Sequence, residues 1–304
     1  MKKVPIVFIF NDGYTFPASI CIYSLLVNAK ENTFYDIYIL YLEGRLSEKS
    51  KDEIRRMQSI FINTSFHFVP VKNILGELRT LRHITIDTYT KFLIPNTLSH
   101  LDKVIYADVD IIFDADISEL IDLEFKESLA VVKIPVGTVI SEKYIKKVGL
   151  NPETYFNAGF FVMNLSEIRK KEILNKKIIP LINKRINFDS VDQDIFNISF
   201  EKDTYFLSSI YNYSADRIFN DVETHLPTDK IAIYHYAGQK PWREIVPFGD
   251  IWWGYYRESI YFDKNIYNLY QKKIIDIQKY IKLGKLFDKY KIFSFVSFLK
   301  KLFK

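Results

Sequence analysis

Apolar runs of strand length alternate with helix-like segments along most of this 304-residue chain, and that alternation limits its fold more than any other feature. PIVFIF, ended by Asn11, Asp12 and Gly13, is followed by PASICIYSLLVNAK, with Pro17 suited to the first turn of a helix. YDIYILYL predicts a second strand, SEKSKDEIRRMQSIF a second helix and SFHFVPV a third strand. VIYADVDIIF, ESLAVVKI and NAGFFVMNL continue the strands, and SEIRKKEILNKKIIPLI predicts one long polar-faced helix after the last of them. Strands separated by helices imply a largely parallel sheet wrapped on both faces, the α/β nucleotide-binding arrangement. Ligands in such folds bind at the carboxyl ends of the strands.

Charge divides the chain in two. The formal net charge is +5, but residues 264–304 hold eleven lysines against Asp276 and Asp288, which gives +9 there and −4 over the first 263 residues. The expected organisation is a catalytic body over residues 1–262 and a basic, aromatic-rich tail over 263–304. The single cysteine, Cys21, lies in an apolar segment, cannot form an intrachain disulfide and reads as a buried structural thiol. The amino-terminal apolar run, Val4 to Phe10, ends in Asn-Asp-Gly without a signal-peptidase site, so it predicts a strand. No apolar stretch approaches the ~20 residues needed to cross a bilayer. These features predict a cytoplasmic protein.

Asp108-Val109-Asp110 is the sharpest chemical feature, because it interrupts the apolar run VIYA…IIF. On a strand, residues i and i+2 face the same way, so both carboxylates would point at one spot. Two anions that close repel and are poorly solvated unless a cation joins them, and oxygen ligands favour Mg²⁺ or Mn²⁺. Such a triplet also occurs as a solvent-facing turn, and alone it does not establish a metal site. Downstream, IAIYHYAGQKPW places His235 at the end of a strand-like run, with Gly238 and Lys240 just beyond. One imidazole beside two carboxylates shifts the expected metal towards Mn²⁺. Gly238 lets backbone approach a phosphate, and Lys240 can neutralise its charge. TYFNAGFFVMNL carries Asn157 ahead of a strand, and DSVDQDIFN sets Asp192, Gln193 and Asp194 at a helix start, where acidic residues also serve simply as caps.

Taken in order, IVFIFNDGY, TIDTYTKFLIPNTLSHLDKVIYADVDIIFDADISEL, TYFNAGFFVMNL, DQDIFN and HYAGQKPW resemble family 8 retaining glycosyltransferases, which include bacterial lipooligosaccharide galactosyl- and glucosyltransferases and the glycogenins. The resemblance runs over roughly residues 4 to 255. It implies a glycosyltransferase type A-like fold with a mostly parallel mixed sheet, and a UDP-sugar donor. It implies Asp108, Asp110 and His235 as Mn²⁺ ligands, with Mg²⁺ as a substitute. Asn11, Asp12 and Tyr14 fall where the family holds the uridine, and Val109, Gly238 and Lys240 fall around the nucleotide. Asn157, Asp192, Gln193 and Lys91 fall around the transferred sugar. Lys91 stands where many members have arginine, so a point charge replaces a planar fork. Gly13 replaces an asparagine common in relatives, and Lys133-Ile134-Pro135 stands where close relatives place an aspartate near the acceptor.

The implied reaction is retaining transfer of galactose or glucose from a UDP-hexose to a cell-surface, lipooligosaccharide-type glycan or lipid-linked saccharide. Gln193 is a poor nucleophile, which favours front-face substitution over double displacement. A metal-dependent UDP-sugar hydrolase would use the same groups, and a non-catalytic membrane-bound binding module would explain the lysines alone. In the tail, Ile292, Phe295, Leu299 and Leu302 recur at helical spacing among Lys300, Lys301 and Lys304. A basic amphipathic helix of this kind suits an anionic bilayer surface, here the inner face of the plasma membrane. Nucleic acid is the weaker alternative for this tail, because no other basic patch or recognition motif supports it, and none is expected as a partner.

Overall fold

The computed structural model describes residues 1–75, 86–135, 140–184, 186, 188–214 and 229–289. Its main sheet has seven strands: β1 (Lys2–Ile9), β2 (Thr33–Leu42), β3 (Thr64–Val71), β4 (Lys103–Ala107), β6 (Leu129–Lys133), β7 (Phe156–Asn164) and β8 (Thr204–Phe206). Their order is β3-β2-β1-β4-β7-β6-β8, and β7 alone among them runs against the rest. The mostly parallel mixed sheet expected from the sequence is therefore present. Successive residues of each central strand feed opposite faces. On β1, Val4, Ile6 and Phe8 enter one core while Val7 and Ile9 enter the other, and Ile105 and Tyr106 of β4 divide in the same way. A strand buried on both faces has no polar side, which is why these segments read as unbroken apolar runs.

Helices α1 (Thr15–Val27) and α2 (Glu48–Arg55) cover the first core. A 3-10 stretch, Ile86–Leu93, leads into α3 (Ile94–Thr97), and with α5 (Leu165–Lys170), α6 (Ile179–Asn183) and α7 (Val191–Phe200) it covers the second. The short α4 (Glu142–Lys147) contributes Ile145 to a small satellite cluster. The single long helix expected over 166–182 is broken instead. Glu172 adopts a left-handed φ of 53° between α5 and a π-helical turn at Leu174–Ile178. Cys21 is buried, as expected, with its Sγ 3.7 Å from the Asp108 carbonyl oxygen.

VIYADVDIIF departs from the sequence expectation in the way that matters most for the site. It is two strands in two sheets: β4 ends at Ala107, and β5 (Ile111–Phe113) pairs with β10 (Ile233–His235), which pairs in turn with β9 (Tyr213–Ser214). Asp108 and Asp110 therefore occupy the crossing between sheets, not a pleated strand. Both halves are buried, so the apolar run gives no sign of the break. Ser24 and Asn28 tie β5 to α1: the Phe113 N–H donates to Ser24 Oγ at 3.0 Å, and Asn28 Nδ2 donates to the Phe113 carbonyl at 2.9 Å.

At the carboxyl end, α8 (Gly249–Glu258) packs Trp252, Trp253 and Tyr256 into an aromatic cluster. The expected tail begins inside this cluster. Helix α9 (Lys264–Lys289) stacks Tyr270 on Trp253, with centroids 4.2 Å apart and planes at 15°, and packs Tyr267 and Ile274 beside them. Beyond Ile274 the apolar stripe continues at helical spacing but lies in solvent: Ile277 is 42% exposed, Tyr280 72% and Ile281 53%. Ile292, Phe295, Leu299 and Leu302 lie outside the described residues. Among the described residues no helix is long and apolar enough to cross a membrane.

Candidate active site

A cavity of about 420 Å³ opens where β1, β4, β6 and β10 end and β7 begins. Asn11, Tyr14, Lys91, Asp108, Val109, Asp110, Asn157, Asp192, Gln193, His235, Gly238 and Lys240 all line it, so the topology gathers residues up to 229 positions apart in sequence. Asp12 does not line it. Its carboxylate accepts hydrogen bonds from Ser47 N–H at 2.9 Å, Ser47 Oγ at 3.0 Å and Ser50 Oγ at 2.6 Å, which fasten β1 to the start of α2. Asp87, which sequence reasoning missed, does line the cavity, accepting from Asn11 Nδ2 at 2.6 Å and pairing with Arg45 Nε at 2.9 Å. Its one sequence signal is helical: it lies four residues before Lys91.

Ligand atoms of Asp108, Asp110 and His235 lie within 4.8 Å of one another. The Asp108 N–H donates to the Gly159 carbonyl at 2.7 Å and the Tyr236 N–H to the Asp110 carbonyl at 2.9 Å, which pins the crossing segment at both carboxylates. Burial, reinforced by the Asp110 charge, pushes the Asp108 carboxyl up against the pull of Lys91. Burial acts on Asp110 too, but the Lys240 ammonium 2.5 Å from its Oδ2, together with His235, outweighs it and holds the group well below the usual carboxylate range. Among the described residues, Asp110 Oδ1 is buried outside any hydrogen bond, although His235 Nε2 lies only 3.3 Å away. An orphaned carboxylate oxygen facing an imidazole nitrogen, beside a second carboxylate, is a set of lone pairs that fits a divalent cation.

Gly159 makes this packing possible. A Cβ there would fall within 3.0 Å of His235 Cε1, Asp108 Oδ2 and Asn157 Oδ1 at once. Lys240, expected at the diphosphate, rests on Asp110 and on the carbonyl oxygens of Tyr236 at 2.6 Å and Ala237 at 3.2 Å.

The opposite wall belongs to Lys91 and the Asp192-Gln193 pair. Lys91 is buried, with Nζ 2.8 Å from Asp192 Oδ2, 3.2 Å from Asp108 Oδ1 and 3.1 Å from the Ala158 carbonyl. Burial alone would favour its neutral form, but the Asp108 and Asp192 charges more than offset that and raise its pKa. Thr88 Oγ1 also donates to Asp192 Oδ2, at 2.8 Å. Gln193 Oε1 accepts from Asn157 Nδ2 at 3.0 Å and from the Ala158 N–H at 3.1 Å. Asp194 turns away from the cavity: burial pushes its carboxyl up, against hydrogen bonds from Tyr144 and Tyr155, each 2.5 Å long. Sequence reasoning also missed Asn212, a buried amide that reaches His235 and Asn157 together. Its signal is a polar residue inside the aromatic run IYNYS, where asparagine is disfavoured in a strand.

The chain is similar to known proteins over most of its length. The family model for glycosyl transferase family 8 matches residues 5–246. A lipopolysaccharide 1,2-glucosyltransferase of Escherichia coli is 27% identical over 92% of this chain and 83% of its own length. A lipopolysaccharide 1,3-galactosyltransferase of Salmonella typhimurium is 30% identical over 62% of this chain and 56% of its own. Among solved structures, the galactosyltransferase LgtC in complex with donor and acceptor sugar analogues has a TM-score of 0.71 at 21% identity, covering 86% of this chain and 98% of that one. The bifunctional glycosyltransferase WbbM has a TM-score of 0.71 at 24% identity, covering 88% of this chain and 51% of that one. At these identities the two structures speak for the fold alone.

Proposed function

The chain belongs to glycosyltransferase family 8 and is a glycosyltransferase, and from that premise we propose that it transfers glucose or galactose, with retention, from a UDP-hexose to a lipopolysaccharide-type glycan. The observation that carries this reading is the meeting of Asp108, Asp110 and His235 at the head of a cavity whose far wall is Asp192, Gln193 and Asn157. The two lipopolysaccharide-directed relatives support the acceptor class and the two candidate sugars. Asn11 and Tyr14 would hold the uracil, with Asp87 fixing the Asn11 amide. Residues 1–262 would carry the catalysis and 263–304 the attachment to an anionic membrane on its cytoplasmic face, an arrangement supported by the exposed stripe of α9 and its lysines.

Asp108, Asp110 and His235 would hold Mn²⁺, with Mg²⁺ as a weaker substitute for this mixed oxygen and nitrogen set. The bound cation supplies positive charge that offsets the charge growing on the departing UDP. Lys240 adds to that field, and the backbone at Gly238 admits the diphosphate closely. Lys91 keeps Asp192 oriented towards the sugar through its 2.8 Å contact. Gln193 would face the sugar, but its Oε1 already accepts two hydrogen bonds, from Asn157 Nδ2 and the Ala158 N–H, which leaves it a poor nucleophile. Front-face substitution follows, with the acceptor hydroxyl attacking from the leaving-group side and giving its proton to an oxygen of UDP.

A donor panel in Mn²⁺, read by mass spectrometry with and without truncated lipopolysaccharide cores, tests the proposal. UDP-glucose or UDP-galactose should add one hexose to a core, and GDP- and ADP-sugars should not, since the hydrogen-bonding edge of the base is what Asn11 reads. Hydrolysis with no transfer to any core would replace the transferase reading with that of a hydrolase.

A further inference from the structure

We infer that Asn212 is a positioning residue that couples the metal ligand His235 to the amides facing the sugar, and that two peptide N–H groups of β7 thereby dictate which His235 nitrogen meets the metal. The inference rests on the reading of Asp108, Asp110 and His235 as metal ligands. It follows from donor and acceptor assignments that a peptide leaves no freedom to reverse. A peptide N–H can only donate. The Gly159 N–H lies 2.8 Å from Asn157 Oδ1 and the Ala158 N–H 3.1 Å from Gln193 Oε1, so both of those side-chain atoms are oxygens that accept.

The remaining assignments then follow in sequence. Asn157 must turn its Nδ2 to Gln193 Oε1, 3.0 Å away. Asn157 Oδ1 must receive the other contact on that side, so Asn212 presents Nδ2 to it at 3.0 Å. Asn212 Oδ1 is thereby aimed at His235 Nδ1, at 2.8 Å, and an amide oxygen there requires that nitrogen to carry the hydrogen. His235 Nε2 is left as a bare lone pair beside Asp110 Oδ1. The chain extends beyond Gln193, whose Nε2 donates to the Tyr155 hydroxyl at 3.2 Å, and that hydroxyl donates to Asp194. Asn212 and His235 are both almost wholly buried, at 4% and 2% exposure, so water does not compete for these bonds.

Two substitutions separate the two ends of Asn212. Asn212→Asp keeps the shape and still accepts from His235 Nδ1, but offers no hydrogen to Asn157. Asn212→Ala removes both contacts. The full-length protein is assayed for Mn²⁺ affinity by electron paramagnetic resonance in saturating UDP, and for the ratio of UDP to UDP-glucose and UDP-galactose affinities by calorimetry. Asn212→Ala should weaken Mn²⁺ binding roughly 10- to 100-fold. Asn212→Asp should bind Mn²⁺ as tightly as the parent or more so, yet change the sugar-dependent ratio by about fivefold. Wild-type Mn²⁺ affinity in Asn212→Ala, or an Asn212→Asp protein that loses both properties together or neither, overturns the coupling while leaving the metal site standing. Absence of Mn²⁺ binding by the parent protein overturns the metal reading and the coupling with it. If Asn212→Ala does not fold, the isosteric Asn212→Asp decides by the same split.

Discussion

Replacing Gly159 by alanine probes the site with a single methyl group. Its Cβ would lie 2.8 Å from Asp108 Oδ2 and 2.9 Å from Asn157 Oδ1, which is 0.6 Å and 0.5 Å inside the 3.4 Å where ordinary contact begins, and His235 Cε1 would be closer still. Each of the three is tied in place by other partners. His235 is held through Nδ1 by Asn212, Asp108 by Tyr106 and Lys91, and Asn157 Oδ1 by the Gly159 N–H and Asn212. Overpacking of this kind costs about 1–3 kcal/mol, so the melting temperature should fall by about 2–5 °C and the fold should survive. Function should suffer far more. Moving reacting groups by about 1 Å costs on the order of 100-fold in rate, and disturbing the packing around a metal ligand costs about tenfold or more in metal affinity. We therefore expect kcat/KM to fall about 100-fold or more and Mn²⁺ binding in the presence of UDP to weaken at least tenfold. Gly254→Ala is the control, because a Cβ there on helix α8 meets nothing within 4 Å and gains helix propensity. Wild-type Mn²⁺ affinity and turnover in Gly159→Ala would show that the working site does not pack on this glycine.

Three further outcomes can be checked separately. Asp110→Asn should abolish transfer and also lower the melting temperature, because Lys240 loses the carboxylate that seats it, and excess EDTA should silence the parent enzyme; undiminished turnover in EDTA would count decisively against a metal. Truncation after Ile274, which spares the Tyr270–Trp253 stack, should leave transfer to a soluble acceptor intact while releasing the protein from anionic liposomes in flotation. Cutting after Asp263 should destabilise the body as well, since it removes Tyr267 and Tyr270 from their cluster. Asp36 supplies an acid limb to stability: burial opposes its charge, but hydrogen bonds from Ser65, Lys3 and His67 outweigh burial and lower its pKa from 3.8 to about 2. Its contribution is complete above pH 3.8 and is lost as pH falls through about 2, so Asp36→Asn should flatten the melting-temperature profile over that window.

The sequence carried the chemistry of the candidate metal site better than its geometry. Asp108, Asp110 and His235 stood out because polar residues interrupted apolar runs, yet the convergence of the two aspartates comes from a change of sheet and not from a pleat. Burial on both sides of the break made β4 and β5 look like one strand, and no local pattern distinguishes the two. Asp12 failed to reach the cavity because its partners, Ser47 and Ser50, lie more than thirty residues away, a contact that periodicity does not register. The fracture of the helix over 166–182 depends on the left-handed backbone at Glu172, a residue type that gives no warning of it. Asn212 carries no motif, and only the assembled β9–β10 edge shows what it joins. The body and tail differ in charge where the sequence divides them, but the aromatic packing crosses that boundary at Tyr267 and Tyr270.

Lys240 resting on Asp110 has a thermodynamic corollary. Asp87, Asp108, Asp110, Asp189 and Asp192 share the pocket with Lys91, Lys133 and Lys240, so their formal charges sum to minus two. A divalent cation entering alone would only neutralise that charge and would meet an ammonium group already seated on one of its proposed ligands. A nucleotide diphosphate entering alone meets carboxylates. If Lys240 crosses to the phosphates when both guests are bound, each improves the other's site, and linkage makes that benefit equal in both directions. On the proposed reading, metal and nucleotide would therefore bind cooperatively, each raising the pocket's affinity for the other.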